Sequence, residues 1–310
     1  MPPFLPPTVA VPTTSPDDPR VGHLLGRALD GGSAPRVVIA GFPTDVGVRR
    51  NGGRPGAAEG PAAIRAALYK LTPDAERAGA FTELVAHTRD LGDLEVTDDL
   101  DGDQRRLGEA LAPHVAAGSF VILLGGGHET AYGHFLAQAA ALEEPVRILN
   151  WDAHTDVREL RDGKAHSGSP FRQALDDALG RCGRYAVAGL QPHSVARAHL
   201  ELVEARGATV FRDDVTPERV RAIYAGESPT LVSFDIDAVD RSRAPGVSAP
   251  TTNGLTVPLW LSAAYLAGRT RTVRSADIVE LSPPHDRDGQ TAALAALTVW
   301  WILKGIAERG

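Results

Sequence analysis

Residues 146–156 read VRILNWDAHTD: six residues that are mostly apolar, β-branched or aromatic, then Asp152, His154 and Asp156 at alternate positions. A short apolar run without polar alternation is the pattern of a strand buried on both faces, as in a parallel sheet covered by helices. Similar runs lie at 36–42, 119–124, 185–190, 209–211, 230–236 and 276–281. Helical patterns separate them at 60–71, 104–117, 130–142, 195–205, 216–225 and 258–267. This alternation predicts an α/β fold of three αβα layers with a central, mostly parallel sheet. No internal repeat or linker divides the chain after residue 20, so 21–310 is expected to be one catalytic domain. Residues 1–20 carry seven prolines and read as an extended arm.

Composition narrows the function. With 43 % hydrophobic and 23 % charged residues in 310, the chain is a soluble globular type rather than a disordered one. A net charge of -7 opposes a nucleic-acid surface, which needs an excess of Lys and Arg, so a small-molecule partner is expected. One cysteine, Cys182, excludes an internal disulfide framework and makes the cytoplasm the expected compartment. The apolar run 292–303, AALAALTVWWIL, is about half of what a bilayer span needs and predicts a buried terminal helix, with no membrane role. The first twenty residues lack the basic and apolar regions of a signal peptide. The acidic run 98–103, DDLDGD, fails as a calcium loop because Thr97 and Gly108 occupy its first and last positions; a solvated loop is expected.

Three segments lie at or just beyond predicted strand ends, where open α/β sheets place their ligands. They are VILLGGGHE with His128, NWDAHTD with Asp152, His154 and Asp156, and SFDIDAVD with Asp235 and Asp237. In extended backbone, residues two apart share a face, so the alternate Asp and His side chains can project together. Four carboxylates in one place repel one another unless cations neutralise them, and two divalent ions balance four aspartates. Six side chains suffice for two ions if some carboxylates bridge. Oxygen-rich ligation with one imidazole per ion and no thiolate favours Mn²⁺ over Zn²⁺. Taken alone, a D-x-H-x-D or an Asp pair after a strand is unremarkable and often caps a helix. GGGHE lacks the lysine of a P-loop, no G-x-G-x-x-G is present, and the order of a two-metal phosphoesterase is reversed.

The ordered set GGGHE, NWDAHTDVR, SFDIDAVDRSRAPGVSAP and DIVELSP resembles the ureohydrolase family of arginases, agmatinases and formimidoylglutamases, over about residue 40 to the C-terminus. Within it, residues 47–65 (GVRRNGGRPGAAEGPAAIR), GGGHETAYGHF, SGSPFRQ and GLQP are most similar to formimidoylglutamases. The resemblance implies an arginase-like fold and two Mn²⁺ per subunit. One ion falls to His128, Asp152, Asp156 and Asp235, the other to His154, Asp152, Asp235 and Asp237. It implies that Glu280 faces the substrate's amidine or guanidine group; a metal-side carboxylate, Asp237 or Asp156, is expected to relay a proton. His166 is offset by one from the family's proton-shuttling position, which Ser167 occupies. The implied assembly is a homo-oligomer, a trimer or hexamer.

The implied reaction is N-formimidoyl-L-glutamate plus water giving L-glutamate and formamide, a step of histidine degradation. A dicarboxylate amidine calls for fixed cations. Arg158 stands where arginases carry Asn, Gln191 where they carry an acidic residue, and Arg50, Arg54 and Arg172 are further candidates, with Asn51 in the tight turn before Arg54. The alternatives are a guanidino-compound hydrolase releasing urea, such as a guanidinobutyrase or agmatinase, and a non-catalytic metal-binding member.

Overall fold

The structure, a computed structural model, describes all residues except 1–3, 14, 16, 30, 31, 33 and 310. Among the described residues nine strands form one sheet. They are β1 (Phe4–Leu5), β2 (Val37–Phe42), β3 (Thr88–Leu94), β4 (Phe120–Gly125), β5 (Val146–Trp151), β6 (Cys182–Leu190), β7 (Gly207–Phe211), β8 (Thr230–Asp235) and β9 (Val273–Val279). Their order is β1-β3-β2-β4-β9-β8-β5-β6-β7. Every pairing is parallel except that of β1 with β3.

Helices cover both faces, which is why the central strands are apolar throughout. In β4, Phe120, Ile122 and Leu124 enter one core, together with the helices Gly60–Leu68, Val257–Arg269 and Gln290–Ala307. Val121 and Leu123 enter the opposite core, against Leu100–Ala116 and Thr130–Ala141. Each fully buried side chain of this size contributes roughly 1.5–3 kcal/mol relative to exposure. The apolar helix Gln290–Ala307 is a core helix, with Ala295, Ala296, Val299, Ile302 and Leu303 wholly buried. Trp260 packs edge-on to Phe234 and donates from Nε1 to Thr298 Oγ1 at 2.8 Å, so the hydroxyl that interrupts that helix is satisfied.

Two strands depart from the sequence reading. β3 reads TRDLGDL, too polar for the apolar pattern, and its acids serve a buried ion pair. Arg65, nearly inaccessible, binds Asp90 Oδ2 from Nε at 2.9 Å and Asp93 Oδ1 from NH1 at 2.5 Å. Phe4 and Leu5 of the Pro-rich arm pair with Leu94 and Asp93, adding an antiparallel edge. The acidic run 98–103 is a helix start rather than a solvated loop. Asp99 caps Leu100–Ala116 by accepting from Gly102 N, and buried Asp103 accepts from Thr97 Oγ1.

Strand order builds the site. From β4 the chain passes over two positions to β5, and β8 and β9 later fill them. The C-terminal ends of β4, β9, β8 and β5 thus lie side by side at a topological switch point, where open sheets leave a crevice.

Candidate metal centre

His128 lies in the turn after β4, Asp152 directly follows β5, Asp235 ends β8, and Glu280 directly follows β9. The glycine turn before His128 runs against the loop after β2: a Cβ on Gly126 would lie 1.8 Å from Thr44 O, so no larger residue fits. His128 Nδ1 lies 2.9 Å from Asp156 Oδ2, 2.9 Å from Asp235 Oδ2 and 3.4 Å from Asp152 Oδ2. His154 Nδ1 lies 3.3 Å from Asp152 Oδ1 and 3.4 Å from Asp237 Oδ2. Two clusters result, His128–Asp152–Asp156–Asp235 and Asp152–His154–Asp237, sharing Asp152. Asp235 falls in the first cluster, and its Oδ1 accepts from Asp237 N at 2.9 Å, which ties it to the second.

Alternation in extended backbone is not what converges these side chains. Asp156 has φ 46°, Glu280 has φ 66°, and Asp237 sits in a single 3-10 turn, Ile236–Ala238. Left-handed backbone at residues with side chains is costly and persists where the surroundings impose it, often at functional sites.

The charge balance fits divalent cations. Burial pushes Asp237 up to about 6, against the opposing charge of His154. Burial, then Asp237 and Asp152, hold Asp235 well above the carboxylate range. Burial and the nearby Asp235 and Glu129 do the same to Glu280. Burial disfavours a charged His128, yet the carboxylates of Asp152, Asp156 and Asp235 outweigh it and raise its pKa. His128 Nδ1 and Asp237 Oδ1 are buried without a hydrogen-bond partner. Unpartnered donor atoms amid crowded carboxylates, with imidazole and oxygen donors only, are what hard divalent ions such as Mn²⁺ complete.

A cavity of about 230 Å³ opens beside these clusters, lined by His154, Asp156, Asp235, Asp237 and Glu280, and by Asn51, Arg158, Ser167 and Ser248 at its mouth. Glu280 Oε1 accepts from His128 N at 2.7 Å, which fixes that carboxylate. Arg158 donates from NH1 to Asn51 Oδ1 at 3.3 Å, and Asn51 Nδ2 donates to Ser167 Oγ at 3.1 Å. Gly168 lets them meet, since a Cβ there would lie 3.0 Å from Arg158 Cδ and 3.2 Å from Asn51 Nδ2.

The remaining sequence candidates do not line this cavity. His166 is not in the lining: its Nε2 lies 2.9 Å from Glu159 O and its Nδ1 accepts from Gly168 N at 3.1 Å, so both ring nitrogens meet its own loop. Arg50 donates to Ala165 O at 3.0 Å and pairs with Asp101. Arg54 donates to the carbonyls of Ser248 and Val247. Arg172 pairs with Asp176 at 2.6 Å. Gln191 is buried and donates to Asn253 O at 3.0 Å. Each braces a loop in this arrangement, and none lines the cavity.

Supporting residues escaped the sequence reading. Ser248 lines the mouth beside Ser167, which the sequence reading places only at the shuttle position. Asn150 Nδ2 donates to Asp152 Oδ2 at 3.0 Å and to Tyr185 OH at 3.2 Å, and Tyr185 OH donates to Thr155 O, orienting the shared carboxylate. Buried Glu129, pushed up to about 7 by burial, accepts from Gly47 N at 2.7 Å and ties the His128 turn to the segment carrying Asn51. Asn150 lies two residues before Asp152, so the same alternation that marked the ligands could have marked it.

A doubly covered parallel sheet with an imidazole and carboxylate centre at its switch point is a setting suited to a metal-dependent hydrolase of the α/β class. Residues 35–304 match the arginase family, and the chain belongs to it. It is 37 % identical to a formimidoylglutamase of Aromatoleum aromaticum, over 93 % of this chain and 88 % of that protein. It is 35 % identical to one of Rhodococcus jostii, over 88 % of this chain and 87 % of that protein. A Trypanosoma cruzi formiminoglutamase structure with Mn²⁺ superposes with a TM-score of 0.86 at 30 % identity, covering 95 % of this chain and all of that one.

Proposed function

We propose that this chain hydrolyses N-formimidoyl-L-glutamate to L-glutamate and formamide, using two Mn²⁺ per subunit. The observation that carries this reading is the cavity itself, lined by Glu280, by His154, Asp156, Asp235 and Asp237 of the two clusters, and by Arg158. His128, Asp152, Asp156 and Asp235 would hold one ion, and His154, Asp152, Asp235 and Asp237 the other. When bound, such ions supply Lewis acidity that brings water toward hydroxide near neutral pH.

The protein's own groups do the rest. Glu280, held by His128 N–H, directs its other oxygen to the cationic amidine, whose charge restores the ionised carboxylate that burial disfavours. Water adds to the formimidoyl carbon, and the bond from that carbon to the glutamate nitrogen breaks. Asp237 or Asp156 delivers the proton that the departing amine takes up. Arg158 supplies a fixed cation for a substrate carboxylate. Ser167 Oγ and Ser248 Oγ each accept one hydrogen bond, from Asn51 Nδ2 and Arg54 N, and keep their own protons to donate to carboxylate oxygens.

Agmatine has no carboxylate to meet Arg158, which disfavours it, and both clusters together with Glu280 are complete, which disfavours the non-catalytic alternative. The chain is proposed to act as one catalytic unit from residue 21 onward, in the cytoplasm, as a homo-oligomer, a trimer or hexamer. The supports are its lone buried cysteine and the family resemblance. The test is a product assay of the Mn²⁺-loaded protein with formimidoylglutamate, arginine, agmatine and guanidinobutyrate. Formamide from the first is expected; urea from any of the others as the main product overturns the substrate.

A further inference from the structure

Behind His128 runs a chain of buried polar side chains that takes no part in the chemistry above. His128 Nε2 lies 3.0 Å from Ser233 Oγ, Ser233 Oγ donates to Asp277 Oδ1 at 2.5 Å, and His134 Nδ1 lies 2.7 Å from Asp277 Oδ2. Ser233, Asp277 and His134 are completely buried. Ser233 on β8 and Asp277 on β9 are register partners, and Ser233 lies two residues before Asp235. His134 reaches them from the helix Thr130–Ala141, one turn and a half beyond His128. The sheet and the helix thus each contribute to one line of hydrogen bonds ending on a proposed metal ligand.

Counting protons gives the line a direction. A hydroxyl has one proton, and Ser233 gives it to Asp277, so its oxygen can only accept from His128. His128 must then carry hydrogen on Nε2. Its neutral form therefore presents the bare lone pair of Nδ1, the atom that faces Asp152, Asp156 and Asp235 and has no hydrogen-bond partner of its own. Asp277 accepts from both sides, so His134 must donate from Nδ1. Burying three polar side chains between sheet and helix costs free energy that apolar residues of like size would avoid. His154 of the other cluster is more exposed and has no corresponding partner on its ring among the described residues.

We propose that Ser233, Asp277 and His134 are positioning residues that fix the tautomer and orientation of His128 for the first of the two ions. The second ion does not depend on them. This rests on the metal-centre reading under the proposed function, and outer partners of this kind commonly change metal affinity by about 10- to 100-fold.

The experiment is Mn²⁺ titration followed by electron paramagnetic resonance, on full-length wild type, Ser233→Ala, Ser233→Thr and Asp277→Asn, with melting curves of the metal-free proteins. Ser233→Ala and Asp277→Asn are expected to weaken one ion about 10- to 100-fold while the other keeps its affinity. Ser233→Thr, which retains the hydroxyl, is expected to bind both as wild type does. Wild-type affinity for both ions in Ser233→Ala overturns the proposal and leaves the metal centre standing. Equal weakening of both ions, with a lowered melting temperature, overturns it in favour of a purely structural role. Wild type that binds no Mn²⁺ overturns the metal centre and the relay together.

Discussion

Substituting Asp237 with Asn should stabilise the metal-free protein and weaken the metal-loaded one. Asp237 is buried, and burial holds its pKa at about 6 against an ordinary 3.8. A carboxyl raised in the folded state supports folding fully below its unfolded pKa and loses that support as pH rises through the folded value. The loss therefore develops between about pH 4 and 6, and the difference corresponds to about 3 kcal/mol above that window. Asn has no charge to bury. At pH 7.5 with a chelator, Asp237→Asn should melt higher than wild type by about 5 °C for a chain of this size. At pH 4 the two should melt within a degree or two of one another.

Saturating Mn²⁺ should reverse the order. An ion at a thousand times its dissociation constant stabilises by about 4 kcal/mol. Wild type gains this at both clusters, while the variant keeps only the cluster without Asp237. Differential scanning fluorimetry at pH 4, 6 and 7.5, with chelator or Mn²⁺, reads all of these conditions. A variant that melts lower than wild type without metal at pH 7.5, or by a margin that ignores pH, refutes the reasoning that crowded carboxylates await cations.

Glu280→Gln keeps the shape and the hydrogen bond from His128 N but removes the charge facing the amidine. The turnover rate should fall by about 10²-fold or more with Mn²⁺ content unchanged; a variant that loses metal instead would make Glu280 a ligand support. Arg158→Ala should raise KM for formimidoylglutamate about 10-fold or more, with kcat changed far less, because the guanidinium is exposed at the mouth and away from the reacting carbon. A fall confined to kcat would place Arg158 in the chemistry.

The metal-binding candidates were legible because they follow apolar runs that can only be buried strands. His128, Asp152, His154, Asp156, Asp235 and Asp237 all fall at the ends of such runs, and the structure gathers them. The arginines were not legible. A guanidinium on a long side chain can meet any nearby carbonyl or carboxylate, and neighbours far along the chain choose its partner. Arg50 is taken by Ala165, Arg54 by Val247 and Ser248, and among the described arginines Arg158 alone lines the cavity. His166 shows the same limit, since the loop from Glu159 to Gly168 decides what its two nitrogens meet. β3 escaped because its polar side chains satisfy Arg65, a pairing that period-based reading cannot see.

By itself the sequence determined the class of fold, the chemistry of the donors and their places at strand ends, since hydrophobic period and side-chain type are local properties. Only the tertiary structure decided which donors cluster, how Asp156 and Glu280 are turned by left-handed backbone, and which cation lines the cavity. Those depend on the order β4-β9-β8-β5, which brings residues more than a hundred positions apart within hydrogen-bonding distance. Strand order is set by burial of the whole sheet, and no single segment carries it.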